Sequence, residues 1–192
     1  MIRFVHMLFW LTLTLWVAAV ILPGAAGISA FIELPERHAS IDTYSAYFGD
    51  DTKGMGRLVA GFVIDPLFVF TNIAQWILAP AACVLALFEW RPLRTSRGFS
   101  NWVRLFALFA ALGLVLLHNI AFAPAMAADL AAYRAAAAAN EAELADAAYA
   151  RFDQYHLLAE RLFGLRFLCL ILAVCASAIS TAMGPPRQEP AA

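Results

Sequence analysis

Charge is what this chain has least of. Only 14% of its 192 residues are Asp, Glu, Lys or Arg, against about 25% in a typical soluble domain, and Lys53 is its single lysine. With 63% hydrophobic residues beside that scarcity, an ordinary water-soluble globule is excluded. No basic tract is present to bind nucleic acid, and the formal net charge is −1. Cysteine is limited to Cys83, Cys169 and Cys175, each inside an apolar block. That placement argues against a disulfide framework or a paired-cysteine zinc site, and the three thiols read as small packing residues. Neither a Ser/His/Asp pattern, a nucleophile elbow nor a phosphate loop occurs, so a non-enzymatic protein is expected and no cofactor is assigned.

What the chain does have is four long apolar blocks, which make it an all-α, polytopic membrane protein: a four-helix transmembrane bundle in one domain over residues 1–184, with a disordered tail at 185–192. The spans fall at about 4–30, 58–88, 102–122 and 162–182, each near the ~20 residues that a bilayer requires. A secretory signal peptide competes for the first block, because Ala25, Ala26, Gly27, Ser29 and Ala30 offer small residues for cleavage. Its apolar run exceeds the roughly 7–15 residues of a signal core, so it reads as a span broken at Pro23-Gly24. In the second block, Asp65-Pro66 predicts a kink or local break. Gly61, Asp65, Phe68, Asn72, Trp76 and Cys83 share one stripe at helical spacing, with Gln75 at its edge, and that polar stripe should face protein.

Between the second and third blocks, residues 89–104 hold Arg91, Arg94, Arg97 and Arg104 against one acid, Glu89. Short arginine-rich loops stay in the cytoplasm, which puts both termini inside and the two acidic loops, 33–57 and 124–160, outside. Arg3 and Arg187 agree, and Trp90 and Trp102 flank the loop as interfacial aromatics do. Low lysine with abundant Ala and Arg points to the inner membrane of a bacterium. The third span ends before Pro124. After it, the Ala-rich stretch 124–150 is too polar to span and strong in helix propensity, which predicts an extramembrane helical hairpin turning near Asn140, with a flexible linker as the alternative. Ser177, Ser180 and Thr181 read as small packing residues in the last span, which Gly184-Pro185-Pro186 terminates.

Alternating span directions bring residues distant in sequence to one depth. Asp65, His118, Asn119, Glu160, Arg161 and Arg166 all fall near the outer boundary, with His156 about one and a half turns above it. Asn72 and Gln75 continue the polar stripe into the membrane. This cluster admits several readings. Arg161 or Arg166 neutralises Asp65 or Glu160 while the histidines donate to carbonyls. Alternatively His118, His156, Glu160 and Asp65 hold a metal or another cation in a small transporter, His118 and His156 clamp a haem as part of a larger complex, or the arginines bind an anion or lipid headgroup. His6 and His38 read as solvated. The partners expected are the lipid bilayer and a second copy or a larger membrane complex.

Phe152-x-x-Tyr155-His156-x-x-Ala159-Glu160-Arg161-Leu162, preceded by Ala123-Pro124-Ala125-Met126, resembles the late region of the transmembrane-protein-205-like family of small four-helix membrane proteins. The Pro-Gly-Ala segment of the first block, and the acidic loop with Phe48 and Gly56 before the second, are similar in order. The resemblance implies the four-span topology and gives weight to His156. It implies no settled activity, and Ala159 stands where the family tends to have serine.

Overall fold

A computed structural model describes residues 2–90 and 98–182. Arg91, Arg94 and Arg97 and the tail from 183 onward, Arg187 included, lie outside the described residues, as do the side chains of Trp90 and Thr181. Among the described residues the protein is all helical, and four helices are long and apolar enough to cross a membrane. The elements are α1 (Ile2–Glu36), a 3-10 turn (Asp42–Tyr44), α2 (Ser45–Phe48), α3 (Thr52–Trp90), α4 (Phe99–Leu117), a π-turn (His118–Phe122), α5 (Ala123–Ala138) and α6 (Ala142–Ala182).

The helices outrun the sequence-based boundaries because proline does not stop them. Pro23 and Pro35 lie within α1, and Pro66 and Pro80 within α3. Of the kink or local break expected at Asp65-Pro66 the break is absent, as is the interruption at Pro23-Gly24. In apolar surroundings the cost of unwinding exceeds that of one lost backbone bond, so a helix carries its proline. Pro124 acts differently. It lies in the first turn of α5, where it has no N–H to give and its ring crowds the carbonyl four residues back. The chain answers by widening to π register just before it, at His118–Phe122. The third long helix thus runs on through Pro124 rather than ending there.

α3 packs between α1 and α4, and α6 closes the bundle against α4 and, more lightly, α1. Phe9, Leu13, Trp16 and Val20 of α1 meet Ala79, Ala82, Cys83 and Ala86 of α3, Leu105, Leu108, Ala111 and Val115 of α4, and Leu170 and Ala173 of α6. Large side chains from α1 and small ones from α3 make this interior, and small residues bring helices close where lipid offers no hydrophobic drive. The outward faces carry Leu11, Leu15, Phe70, Ile73, Ile77, Phe106, Leu168 and Leu172, all exposed. That is the pattern of a bundle bathed in hydrocarbon. Of the cysteines, Cys83 is buried, Cys169 is partly buried and Cys175 is exposed; all three are free.

α6 has 41 residues, or about 61 Å at about 1.5 Å per residue, twice the hydrocarbon thickness of about 30 Å. Its first half pairs with α5 in a helical hairpin that turns at Asn140, whose φ of 57° is the left-handed conformation Asn tolerates. The expected hairpin is therefore present, and its helices continue directly from the spans. A second core seals its turn end, where Tyr44, Met55 and Leu58 meet Tyr133, Ala136, Ala137, Ala145 and Ala148.

At that end α1 and α3 touch most closely at Gly56, where an added Cβ would run into the backbone of Pro35 and Leu34. Neither backbone can give way. Gly56→Val is expected to cost about 1–3 kcal/mol, as overpacking does, and to lower the thermal unfolding midpoint of the purified protein. An unchanged midpoint would show that this helix contact is looser than described.

Candidate functional site

The polar residues inside the bundle are sorted by height into separate ties between helices. At the end nearest residues 91–97, Glu89 closes α3 and Arg104 opens α4, and both are almost completely buried. Arg104 Nη1 donates to Glu89 Oε2 at 2.7 Å, Nη2 reaches the Ala86 carbonyl at 3.4 Å, and the guanidinium lies 5.3 Å from the Phe9 ring centroid. The other carboxylate oxygen, Oε1, meets His6 Nδ1 of α1 at 2.8 Å, and Trp10 Nε1 donates to His6 Nε2 at 3.1 Å. Because an indole N–H only donates, His6 must accept at Nε2 and carry its proton at Nδ1. Glu89 therefore receives two donors from two helices, and three spans are tied at one carboxylate. His6 is a member of this layer and not a solvated bystander. Glu89 and Arg104 belong to helix interiors and not to the loop.

About 14 residues up α3 from Glu89, or about 21 Å, Gln75 is buried with 1% of its surface exposed, and Arg166 of α6 is fully buried beside it. Arg166 Nη1 donates to Gln75 Oε1 at 2.7 Å and Nη2 to the Leu114 carbonyl of α4 at 3.3 Å, while its guanidinium lies 5.3 Å from the Phe163 ring centroid. No carboxylate takes part. His118 lies in the π-turn, which packs against α6, and its Nδ1 is buried without a hydrogen-bond partner. Asn119 turns its amide back to the Val115 carbonyl of its own helix at 2.9 Å.

Ten residues further along α3, Asp65 pairs with Arg134 of α5 at 2.6 Å, and Arg134 lies 4.0 Å from the Phe62 ring centroid. His156 and Glu160 pair along one face of α6 at 3.2 Å, with both side chains well exposed, and Phe152 stacks on His156. Arg161 is exposed.

The single outer cluster anticipated from spacing is thus divided. Arg166 and Gln75 come together, and His118 lies in the turn that packs against the helix of Arg166. Asp65 goes to Arg134, which the sequence reading left in the hairpin, and neither Arg161 nor Arg166 neutralises it. His156 and Glu160 satisfy each other on the outside of α6. Asp65, His118, His156 and Glu160 do not form a ligand set, and among the described residues no three His, Cys, Asp or Glu side chains gather as a metal site would require. The stripe on α3 is also rotated from its expected setting. Phe68 and Trp76 face outward, Asn72 is half-buried, and Thr71 and Gln75 hold the buried centre. Thr71 returns its hydroxyl to the Leu67 carbonyl at 2.8 Å.

Near the turn of the hairpin Tyr47 donates to Asp146 at 2.7 Å. Burial, and then that carboxylate, push its phenol well above the usual value of 10. A raised folded-state value means that this contribution to stability is whole below the unfolded pKa of about 10 and is lost as pH climbs beyond it. Tyr47→Phe is expected to cost about 0.5–1.5 kcal/mol at neutral pH. Spectrophotometric titration should show one phenol fewer ionising late; equal curves for the two proteins would remove Asp146 from the account.

Comparisons with family models, with curated proteins and with solved structures found no match for this chain.

Proposed function

We propose that this is a non-enzymatic, multi-pass protein of a bacterial inner membrane, with both termini cytoplasmic, whose bundle holds the α5–α6 hairpin rigidly outside the bilayer as an interaction element. Membership of the transmembrane-protein-205-like family belongs to the same proposal and bears on topology alone. One observation carries the reading: most of the polar side chains between helices are paired with one another. His6, Glu89 and Arg104 join α1, α3 and α4; Gln75 and Arg166 join α3 and α6; Asp65 and Arg134 join α3 and α5. Side chains so engaged stiffen a scaffold and leave few free for acid–base or nucleophilic work. The hairpin, in contrast, displays Leu144 and Tyr149, which are 62% and 48% exposed beyond the last apolar span.

Extraction of the full chain from its membrane in native-lipid particles, followed by native mass spectrometry, tests this. A stoichiometric assembly, with a second copy or another protein, that dissociates in Leu144→Glu/Tyr149→Glu is expected. A lone chain, or an assembly indifferent to that change, would contradict it.

A further inference from the structure

We infer that Arg166, with His118, forms a site for an anionic phosphate group entering from the hairpin side of the bundle, supplied either by a lipid headgroup or by free phosphate. The inference goes beyond the scaffold reading and does not depend on it.

The bundle treats its two buried arginines differently. Arg104 meets Glu89, and its charge is cancelled within the protein. Arg166 is just as deeply buried but meets only neutral acceptors, the Gln75 amide oxygen and the Leu114 carbonyl. A guanidinium has five N–H groups in a planar fork, and Arg166 Nε is buried with no acceptor. The Nε atoms of Arg104 and Arg134 are also without one, but their charges are met by Glu89 and Asp65. The acids that might have served Arg166 are committed elsewhere, Asp65 to Arg134 and Glu160 to His156.

A cation inside a membrane bundle without a counter-charge is retained for a task more often than for stability. The surroundings favour an anion over any other ligand. His118 supplies a second buried nitrogen lacking a partner. It lies in the π-turn before Pro124, which packs against α6, the helix that carries Arg166. Gln75 fixes the guanidinium from the opposite helix, so the fork is set before a ligand arrives, and planar forks suit phosphate. The positive field excludes cations from the same place.

The test uses the full chain in maltoside micelles, which contain no phosphate, with thermal unfolding as the readout. One arm adds phosphatidylglycerol to the micelles; the other adds inorganic phosphate against chloride at matched ionic strength. A rise of several degrees in the wild-type midpoint is expected in at least one arm, since a ligand that binds only the folded state stabilises it. A rise with the lipid alone assigns a headgroup phosphate, and a rise with inorganic phosphate assigns a free anion. Arg166→Met and His118→Phe should lose most of the response, and Arg161→Gln, on the exposed face, should keep it. Should Arg166→Met fail to fold, Arg166→Lys, which keeps the charge without the fork, is expected to respond more weakly. No rise in the wild type, or a full rise in the Arg166 and His118 variants, overturns the assignment.

Discussion

Glu89→Leu should destabilise the bundle by about 3–5 kcal/mol, the cost of leaving a buried charge without its partner. Arg104 is only 2% exposed, so it cannot turn to water when the carboxylate is removed. His6 loses its acceptor in the same step. The double variant Glu89→Leu/Arg104→Leu removes both charges and should recover most of the loss, because apolar replacements of a buried pair are often neutral or better. Reversible unfolding in bicelles, run as a double-mutant cycle, measures this directly. Additive losses would mean that the two side chains do not interact as described.

Arg166→Met should move stability the other way. In phosphate-free maltoside micelles it is expected to leave the bundle unchanged or to stabilise it by about 1–4 kcal/mol, since it replaces an uncompensated buried ion by an apolar chain of similar length. Gln75 and the Leu114 carbonyl would each lose one donor, which sets the limit on the gain. The opposite signs predicted for Glu89 and Arg166 express one difference, the presence or absence of a carboxylate in the layer. A loss of several kcal/mol in Arg166→Met would show that neutral acceptors suffice to hold the charge, and that Arg166 is a structural tie like Arg104.

The spans were legible because apolar length is a property of the chain alone, and the hairpin turn at Asn140 was legible because Ala-rich helices need a break to reverse. The limits of the helices were not. Pro23 and Pro66 carry in the sequence the weight they have in water, where a broken helix can bond to solvent; between apolar neighbours it cannot. Glu89 and Arg104 were counted as loop charges, although a usable signal was present. Each lies just within the apolar end of one of two consecutive antiparallel spans, at similar distance from the short connection between them, and opposite charges so placed meet. The equal depth of Asp65 and Arg166 was misjudged for a related reason. Arg166 stands well inside the last span, and the partner of Asp65 is Arg134, from the Ala-rich stretch that spacing alone places outside the membrane. The setting of the α3 stripe was in error by about one residue, enough to exchange Gln75 for Trp76 at the centre, because small residues such as Ala79, Ala82 and Ala86 mark the packed face at least as strongly as polar ones.

The account rests on four crossings, with the hairpin on one side and the arginine-dense connection on the other. Single cysteines placed at Asn140 and at Arg94, in a chain whose own three cysteines are replaced by alanine, test it by labelling intact cells with a membrane-impermeant maleimide. Position 140 should label at once from outside and position 94 only after the membrane is opened. Labelling of position 94 in intact cells, or protection of position 140, would contradict it.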